Sequence, residues 1–236
     1  MEAAGYVTLS RQSGLIREMQ VVANNIANIS TAGFRREGVV FSEYLTGQGQ
    51  DPSISMARGN TRYPDLSQAP VTMTNAPFDF AIQGEGFFLI EAPEGQALTR
   101  AGTFTPNAAG ELVNPDGFRL LDAGGAPVFI PPGSGAVAMA QDGSLSAGGQ
   151  PIARVGLWVP TDPTSLRHRS GTLFTANGVE PAPGTTILQG FLEESNVNPI
   201  QEVARMIEVQ RAYELGQSFL DMEDRRVRGA IDRLGK

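Results

Sequence analysis

The only histidine of the 236-residue chain, His168, stands between Arg167 and Arg169. Catalysis of the Ser-His-Asp kind would have to use it, and two guanidinium neighbours disfavour the imidazolium which that mechanism needs. His168 is therefore read as a solvated loop residue. There is no cysteine, which removes disulfides, thiolate metal sites and a cysteine nucleophile. Glu193 and Glu194 are adjacent, so in a strand they point to opposite faces, whereas acid–base work needs converging carboxylates. Gly84-Glu85-Gly86 and Gly124-Gly125 lack the patterns that make phosphate loops and read as hairpin turns. Phe78, Phe80, Phe87 and Phe88 suit the inner face of two paired strands, and core packing is their default role. The chain is expected to have no catalytic, cofactor-binding or metal site, to use no cofactor, and not to be an enzyme.

The polar residues that do stand out are asparagines. Asn24, Asn25 and Asn28 lie in Asn24-Asn25-Ile26-Ala27-Asn28, inside a helical pattern. Asparagine is a poor helix former because its amide competes with the backbone. Two readings remain open: a frayed last turn with solvated amides, or amides that bond between helices and fix their register. Asn196 and Asn198, in Ser195-Asn196-Val197-Asn198-Pro199, supply more polar groups than a helix cap requires.

The elements that would position these residues follow from proline and charge. All 16 prolines, and 21 of the 28 glycines, lie between residues 46 and 199. Proline is excluded from helix interiors, so the ends can be helical and the middle cannot. Residues 1–45 carry four positive and four negative side chains, and residues 200–236 seven of each; the net charge of −7 resides in the middle. Neutral ends can pack side by side, while an acidic middle stays solvated. Such a charge is a poor match to nucleic acid. No apolar run approaches the ~20 residues that span a bilayer, so no membrane insertion is expected. The N-terminal stretch, with Glu2 and no Lys or Arg before Arg11, does not read as a cleaved secretory signal.

The N-terminal segment places Leu9, Ile16 and Ala23, Met19 and Ile26, and Leu15, Val22 and Ile29 at seven-residue spacing, which predicts a helix over about 7–32. Gly33 suits a left-handed cap, with Phe34 folding back onto Ile29 as in a Schellman motif. At the other end Met206, Tyr213, Leu220, Val227 and Leu234 recur every seven residues, with Val203, Gln210, Gln217, Asp224 and Ile231 three before each. Asn198 as N-cap, Pro199 at the first position and Gln201 in a capping box mark the start of a helix over 199 to about 234. Such stripes serve either a hairpin packed on its own domain or contacts with other chains, since so much uncovered apolar surface is unusual in a monomer.

Short apolar runs alternate with turn signals in the middle, including Asn107-Ala108-Ala109-Gly110, Asp116-Gly117, Asp142-Gly143 and Asn177-Gly178. The runs Phe80–Ile82, Phe87–Ile90, Ala97–Thr99, Arg119–Leu121, Pro127–Ile130, Gly156–Val159 and Thr186–Leu188 predict antiparallel strands. The expected fold is α+β, with terminal amphipathic helices paired as a coiled coil and a central antiparallel all-β domain. Its segments are an N-terminal helical segment (1–45), a linker or extended loop (46–69), the β-domain (70–190) and a C-terminal helical segment (191–236).

Three ordered motifs carry a resemblance. Asn24-Asn25-Ile26-Ala27-Asn28 followed by Thr31-Ala32-Gly33-Phe34-Arg35-Arg36 resembles the N-terminal signature of flagellar rod, hook and hook-filament junction proteins. Ser195-Asn196-Val197-Asn198-Pro199, then Met206-Ile207 and Gln210-Arg211-Ala212-Tyr213-Glu214, resembles their C-terminal signature. Asp79–Phe88 and Thr99-Arg100-Ala101-Gly102-Thr103-Phe104 are similar to the β-domain of the rod and hook members. Gly5-Tyr6, Arg11–Leu15 and Arg17–Val22 resemble the proximal rod members, with the distal rod or hook type as the alternative.

The resemblance implies a structural subunit of the basal-body rod. Such a subunit is exported by the flagellar type III apparatus without a cleaved signal. It polymerises in the periplasm, with copies of itself and other proximal and distal rod proteins, into a hollow helical axle that transmits torque for motility. The subunit-interface candidates are Asn24, Asn25, Asn28, Gly33, Phe34, Asn196, Asn198, Met206, Gln210, Arg211, Tyr213 and Leu220. The reading of another class is a β-domain ligand-binding module with a helical dimerisation stalk.

Overall fold

The computed structural model describes the backbone of residues 2–48, 51–182 and 184–234, and the side chains of 7–40, 62–182 and 184–233. The chain forms two compact units. One comprises Met1–Ala27, Glu37–Tyr63 and Asn198–Lys236; the other comprises Asn28–Arg36 and Pro64–Val197.

The first unit contains α1 (Glu2–Ala27), β1 (Glu37–Gln48), β2 (Asp51–Pro64) and α2 (Pro199–Leu234), with β1 paired to β2. The helices pack antiparallel: Gln12 meets Tyr213, Glu18 meets Arg205 and Asn25 meets Glu202, so α2 numbers fall as α1 numbers rise. On α1 the face turned inward is Gln12, Leu15, Glu18, Val21, Val22 and Asn25, all buried. Leu15 and Val22 belong to one expected apolar row, but the row Leu9, Ile16 and Ala23 faces solvent. On α2 the half-buried row is Met206, Tyr213 and Leu220, and the deepest residues are Glu202 and Val209. Gly216 continues that register seven residues further on. A Cβ there would lie 2.3 Å from Gln12 Nε2, so glycine admits the Gln12 amide against the helix backbone.

Two expectations are corrected here. The N-terminal helix ends at Ala27, five residues early, because Asn28 begins a turn: Thr31 N–H donates to Asn28 O at 3.2 Å and Thr31 Oγ1 to Asn28 Oδ1 at 3.1 Å. Most of the stretch read as linker (46–69) is strand instead, since β2 runs to Pro64 against β1. A strand pairs through its backbone, so a polar sequence does not forbid it.

The second unit is antiparallel β. Its largest sheet orders Arg167–Ser170, Leu173–Thr175, β6 (Gly95–Thr99), β5 (Phe87–Ala92), Arg119–Leu120, Leu112–Val113 and Thr105–Pro106, with Leu157–Pro160 on β5 and Val179–Pro181. Beside it stand a three-stranded sheet over 137–154 and two pairs: β3 (Val71–Met73) with Phe191–Glu193, and β4 (Phe80–Gln83) with Thr186–Gln189. Pro127–Ile130 makes isolated bridges through Pro127 and Phe129 rather than a strand. Phe80, Ile82, Phe88, Ile90, Phe104 and Leu120 are fully enclosed in one cluster, and Phe87, Leu89, Leu98 and Phe174 in a second. Each such side chain contributes about 1.5–3 kcal/mol relative to exposure, so Phe80, Phe87 and Phe88 are core, and Phe78 packs half-buried against the first cluster. The expected shared face of two paired strands does not form, because β4 pairs with Thr186–Gln189 rather than with β5, and the adjacent Phe87 and Phe88 enter different clusters. Among the glycines of the expected turns, Gly84, Gly86, Gly110, Gly117, Gly125, Gly143 and Gly178 have positive φ, and Gly124 does not.

His168 is not a solvated loop residue. It lies half-buried in the strand Arg167–Ser170, pairs with Phe174, and its ring meets Phe174 and Phe34 edge-on at 5.3 and 6.1 Å. Nε2 lies 2.8 Å from Gly171 O, an ordinary structural contact.

Candidate functional site

The asparagines become structural once their partners are named. Asn25 is completely buried in the helical unit. Its Oδ1 accepts the Glu37 N–H at 2.9 Å, and its Nδ2 donates to Glu37 O at 2.9 Å and to Glu202 Oε2 at 3.1 Å. One amide thereby mimics a strand partner for β1 while fastening α1 to α2. Asn24 lies 3.5 Å from Glu37 Oε2, a longer contact. Below them the helix pair continues through Arg205 Nε to Glu18 Oε1 at 2.6 Å, then Gln12 Nε2 to Tyr213 O at 2.9 Å. Three polar contacts, spaced seven and six residues along α1, fix the register of two helices whose apolar contacts alone would tolerate sliding.

Asn25→Ala would remove three hydrogen bonds made by one completely buried amide, two of them to the Glu37 backbone. Each such bond contributes ~0.5–1.5 kcal/mol. A loss of about 2–4 kcal/mol of stability is expected, read as a lower urea midpoint for loss of helical circular dichroism. Asn24→Ala, at a half-buried neighbour whose contact with Glu37 Oε2 is 3.5 Å, is the comparison and should cost clearly less.

In the β unit a second asparagine does similar work. Asn196 Oδ1 accepts the Arg36 N–H at 2.6 Å, and its Nδ2 donates to Asp65 O at 2.9 Å and Ser67 O at 3.1 Å. The chain leaves this unit after Arg36, re-enters at Pro64 and leaves again after Val197. A single amide therefore joins the residues just inside three of those crossings.

Beneath it lies an ionic cluster. Glu193 Oε1 accepts from Arg35 Nη2 at 2.7 Å and from the Ala69 N–H at 2.9 Å. Arg100 Nε stands 2.9 Å from Glu193 Oε2, close enough to pair but out of line for a hydrogen bond. The other Arg100 nitrogens donate to Gly86 O at 2.6 Å and Gly84 O at 2.9 Å. All three charged residues are at most 3% exposed. Burial pushes the Arg100 guanidinium down to about 10, against the pull of Glu193 and with the push of Arg35, so it stays charged at neutral pH.

Gly33 and Phe34 belong to this cluster's surroundings rather than to a helix cap. The Gly33 N–H donates to Glu193 O at 2.8 Å, and Phe34 is buried beside His168. Left-handed backbone occurs at Gly33 as expected, but α1 has ended six residues earlier, so no Schellman motif forms. Asn28 closes the turn after α1. Asn198 caps α2, accepting from Ile200 N at 3.1 Å and Gln201 N at 3.2 Å.

Of the remaining interface candidates, Gln210 and Arg211 are exposed, whereas Met206, Tyr213 and Leu220 are half-buried. The largest uncovered apolar residues of the helical unit are others. Ile200, Ile207, Leu215, Phe219, Met222 and Ile231 lie open on α2, with Leu9 54% and Leu215 73% exposed. Sequence reasoning missed Glu193, Arg100, Glu202 and Glu18. Their signal was a charged residue inside an otherwise apolar or tightly turning stretch.

Three family models match the chain. The flagella basal body rod protein model covers residues 6–35, the flagellar hook protein FlgE/F/G D1 domain covers 81–147, and the flagellar basal body rod FlgEFG protein C-terminal model covers 188–231. The flagellar basal-body rod protein FlgF of Mesorhizobium japonicum is 41% identical over 91% of this chain and 90% of its own length. FlgF of Caulobacter vibrioides is 39% identical over 100% and 99%. The rod protein FlgG of Bacillus subtilis is 28% identical over 93% and 94%.

Proposed function

This chain belongs to the FlgF family of flagellar basal-body rod proteins, and from that premise we propose that it is a proximal-rod subunit. It polymerises through its terminal helices, with itself and with other rod proteins, into a hollow helical axle that transmits torque. It reaches the periplasm through the flagellar type III apparatus without a cleaved signal. The observation that carries this reading is the row Leu9, Ile16 and Ala23, which the helix pair leaves uncovered, together with the open apolar residues of α2. Burial of such rows against further helices is the driving force that a filament requires, and contacts that do not close give a helix rather than a ring. The ties at Asn25, Asn196 and Glu193 suit a subunit under load, because the residues at its chain crossings are held by side chains as well as by the backbone. Greater identity to FlgF than to FlgG favours the proximal over the distal rod. Asn24, Asn28, Asn198, Gln210 and Arg211 remain the polar contacts we assign to neighbouring subunits.

Cells whose copy lacks residues 199–236 should be non-motile, with no completed rod in isolated basal bodies. Ile16→Glu is the sharper probe. At an exposed position it should shift stability by no more than ~0.5 kcal/mol, yet abolish motility. Motile cells with intact basal bodies in both strains would refute the reading. Purified protein that forms dimers and never grows would move the ligand-binding module with a dimerisation stalk to first place.

A further inference from the structure

Asn177-Gly178 is the one Asn-Gly pair in the sequence. It lies in the β unit between the strands Leu173–Thr175 and Val179–Pro181, and both residues are exposed. The main chain is held on either side of the pair. The Asn177 N–H donates to Ser165 Oγ at 3.2 Å, and Gly178 O accepts the Thr161 N–H at 3.2 Å. Between those ties, neither the Asn177 side-chain amide nor the Gly178 N–H has a hydrogen-bond partner among the described residues. The comparable positions of the β unit are locked. Asn107 and Asn114 each accept two main-chain N–H groups on Oδ1, and Asn196 is tied to Arg36, Asp65 and Ser67. At Asp116-Gly117 and Asp142-Gly143 the glycine N–H donates within its turn, to Asn114 O at 2.9 Å and to Ala140 O at 3.0 Å.

We infer that Asn177 is a site of spontaneous deamidation in the folded protein. The Gly178 nitrogen loses its proton to hydroxide and bonds to Asn177 Cγ. The Cγ–Nδ2 bond breaks, and Nδ2 leaves as ammonia with a proton taken back from water, which closes a five-membered succinimide. No side chain on residue 178 obstructs the approach. Water then opens the ring. Breaking the bond from Cγ to the Gly178 nitrogen gives aspartate, and breaking the one from the main-chain carbonyl carbon gives isoaspartate. Either product adds a negative charge to the acidic middle of the chain. Isoaspartate also inserts a main-chain carbon between the ties to Ser165 and Thr161, so it loosens the start of Val179–Pro181, whereas aspartate does not. The inference goes beyond the rod assignment and does not depend on it.

The test is incubation of the full folded chain at mildly alkaline pH, then trypsin and mass spectrometry of the peptide 170–205, which holds Asn177, Asn196 and Asn198. A sample digested without incubation gives what digestion itself produces. Asn177 alone should gain roughly 1 Da, divided between aspartate and isoaspartate, which chromatography separates. The rate should rise with pH. It should lie within about threefold of that of a free peptide of residues 174–180, as for a segment the fold does not protect. Asp116 and Asp142 should show no isoaspartate until urea unfolds the chain. Asn177→Gln, which would have to close a six-membered ring, should lose the mass gain with its circular dichroism unchanged. Modification of Asn177 more than roughly tenfold slower than in the free peptide, or mass gain at Asn196 as fast as at Asn177, would overturn the inference.

Discussion

Glu193→Ala is expected to destabilise the β unit by about 3–5 kcal/mol, the range for removing one partner from a buried ionic cluster. The loss exceeds that of one ion pair because the partners stay where they are. Arg35 and Arg100 would face each other in a low-dielectric interior without their shared counter-charge, and the Ala69 N–H would lose its acceptor. Against a total stability of ~5–15 kcal/mol for a typical domain, this is a large fraction. Glu193→Gln separates the two contributions. It keeps an oxygen for Ala69 but removes the charge, so it should recover only a minor part of the loss. Glu194→Ala is the matched control: the Glu194 side chain is exposed and accepts from the Thr72 hydroxyl at 2.5 Å. It should lie within ~0.5 kcal/mol of the parent. Urea unfolding followed at Trp158, within the β unit, reads all three. A deficit below ~1 kcal/mol for Glu193→Ala would mean that the cluster is not a tie.

The adjacent glutamates show how far sequence reasoning reaches and where it stops. Strand alternation correctly places Glu193 and Glu194 on opposite faces, and that argument correctly removes them as an acid–base pair. It does not reveal that the inward one meets two arginines from positions 158 and 93 residues away, because long-range pairing leaves no local mark. Turns are the opposite case. Asp142-Gly143 and Asn177-Gly178 are local devices, fixed by the backbone freedom of glycine, and the structure has them where the sequence puts them. The start of α2 at Pro199 is equally local. The inward face of α2 was hidden for a physical reason. Its deepest positions, Glu202 and Val209 with Gly216 in register, include an acid and a glycine, so an apolar-row search selects Met206, Tyr213 and Leu220 instead. What an apolar search finds on these helices is in part the surface left uncovered. The same logic explains β1 and β2, whose pairing is backbone-made and whose composition is polar. His168 was misplaced because charge on its two neighbours says nothing about the face on which the residue between them lies.

Gly33→Ala should cost at least about 4 kcal/mol, a magnitude reserved for a few mechanisms. A glycine that merely ends a helix in the left-handed region loses ~1–2 kcal/mol on gaining a Cβ. Gly33 has φ of +71°, but its surroundings add a second demand. A Cβ would lie 2.2 Å from Ala101 N and 2.4 Å from Arg100 C, both backbone atoms of the β unit that cannot rotate away. Relief requires the 28–36 segment to lift off, which breaks the Gly33 N–H bond to Glu193 O and withdraws Arg35 from its carboxylate. The two accounts of Gly33 diverge at Gly33→Asn. Asparagine tolerates the left-handed conformation, so for a simple cap it should restore most of the stability lost in Gly33→Ala. Against the Arg100–Ala101 backbone it should be no better than alanine, since the obstacle is the Cβ itself. Chemical denaturation of the two variants side by side decides between them. Equal, severe losses make Gly33 the point where the chain presses on the β unit, and recovery by asparagine returns it to the role of a helix terminator.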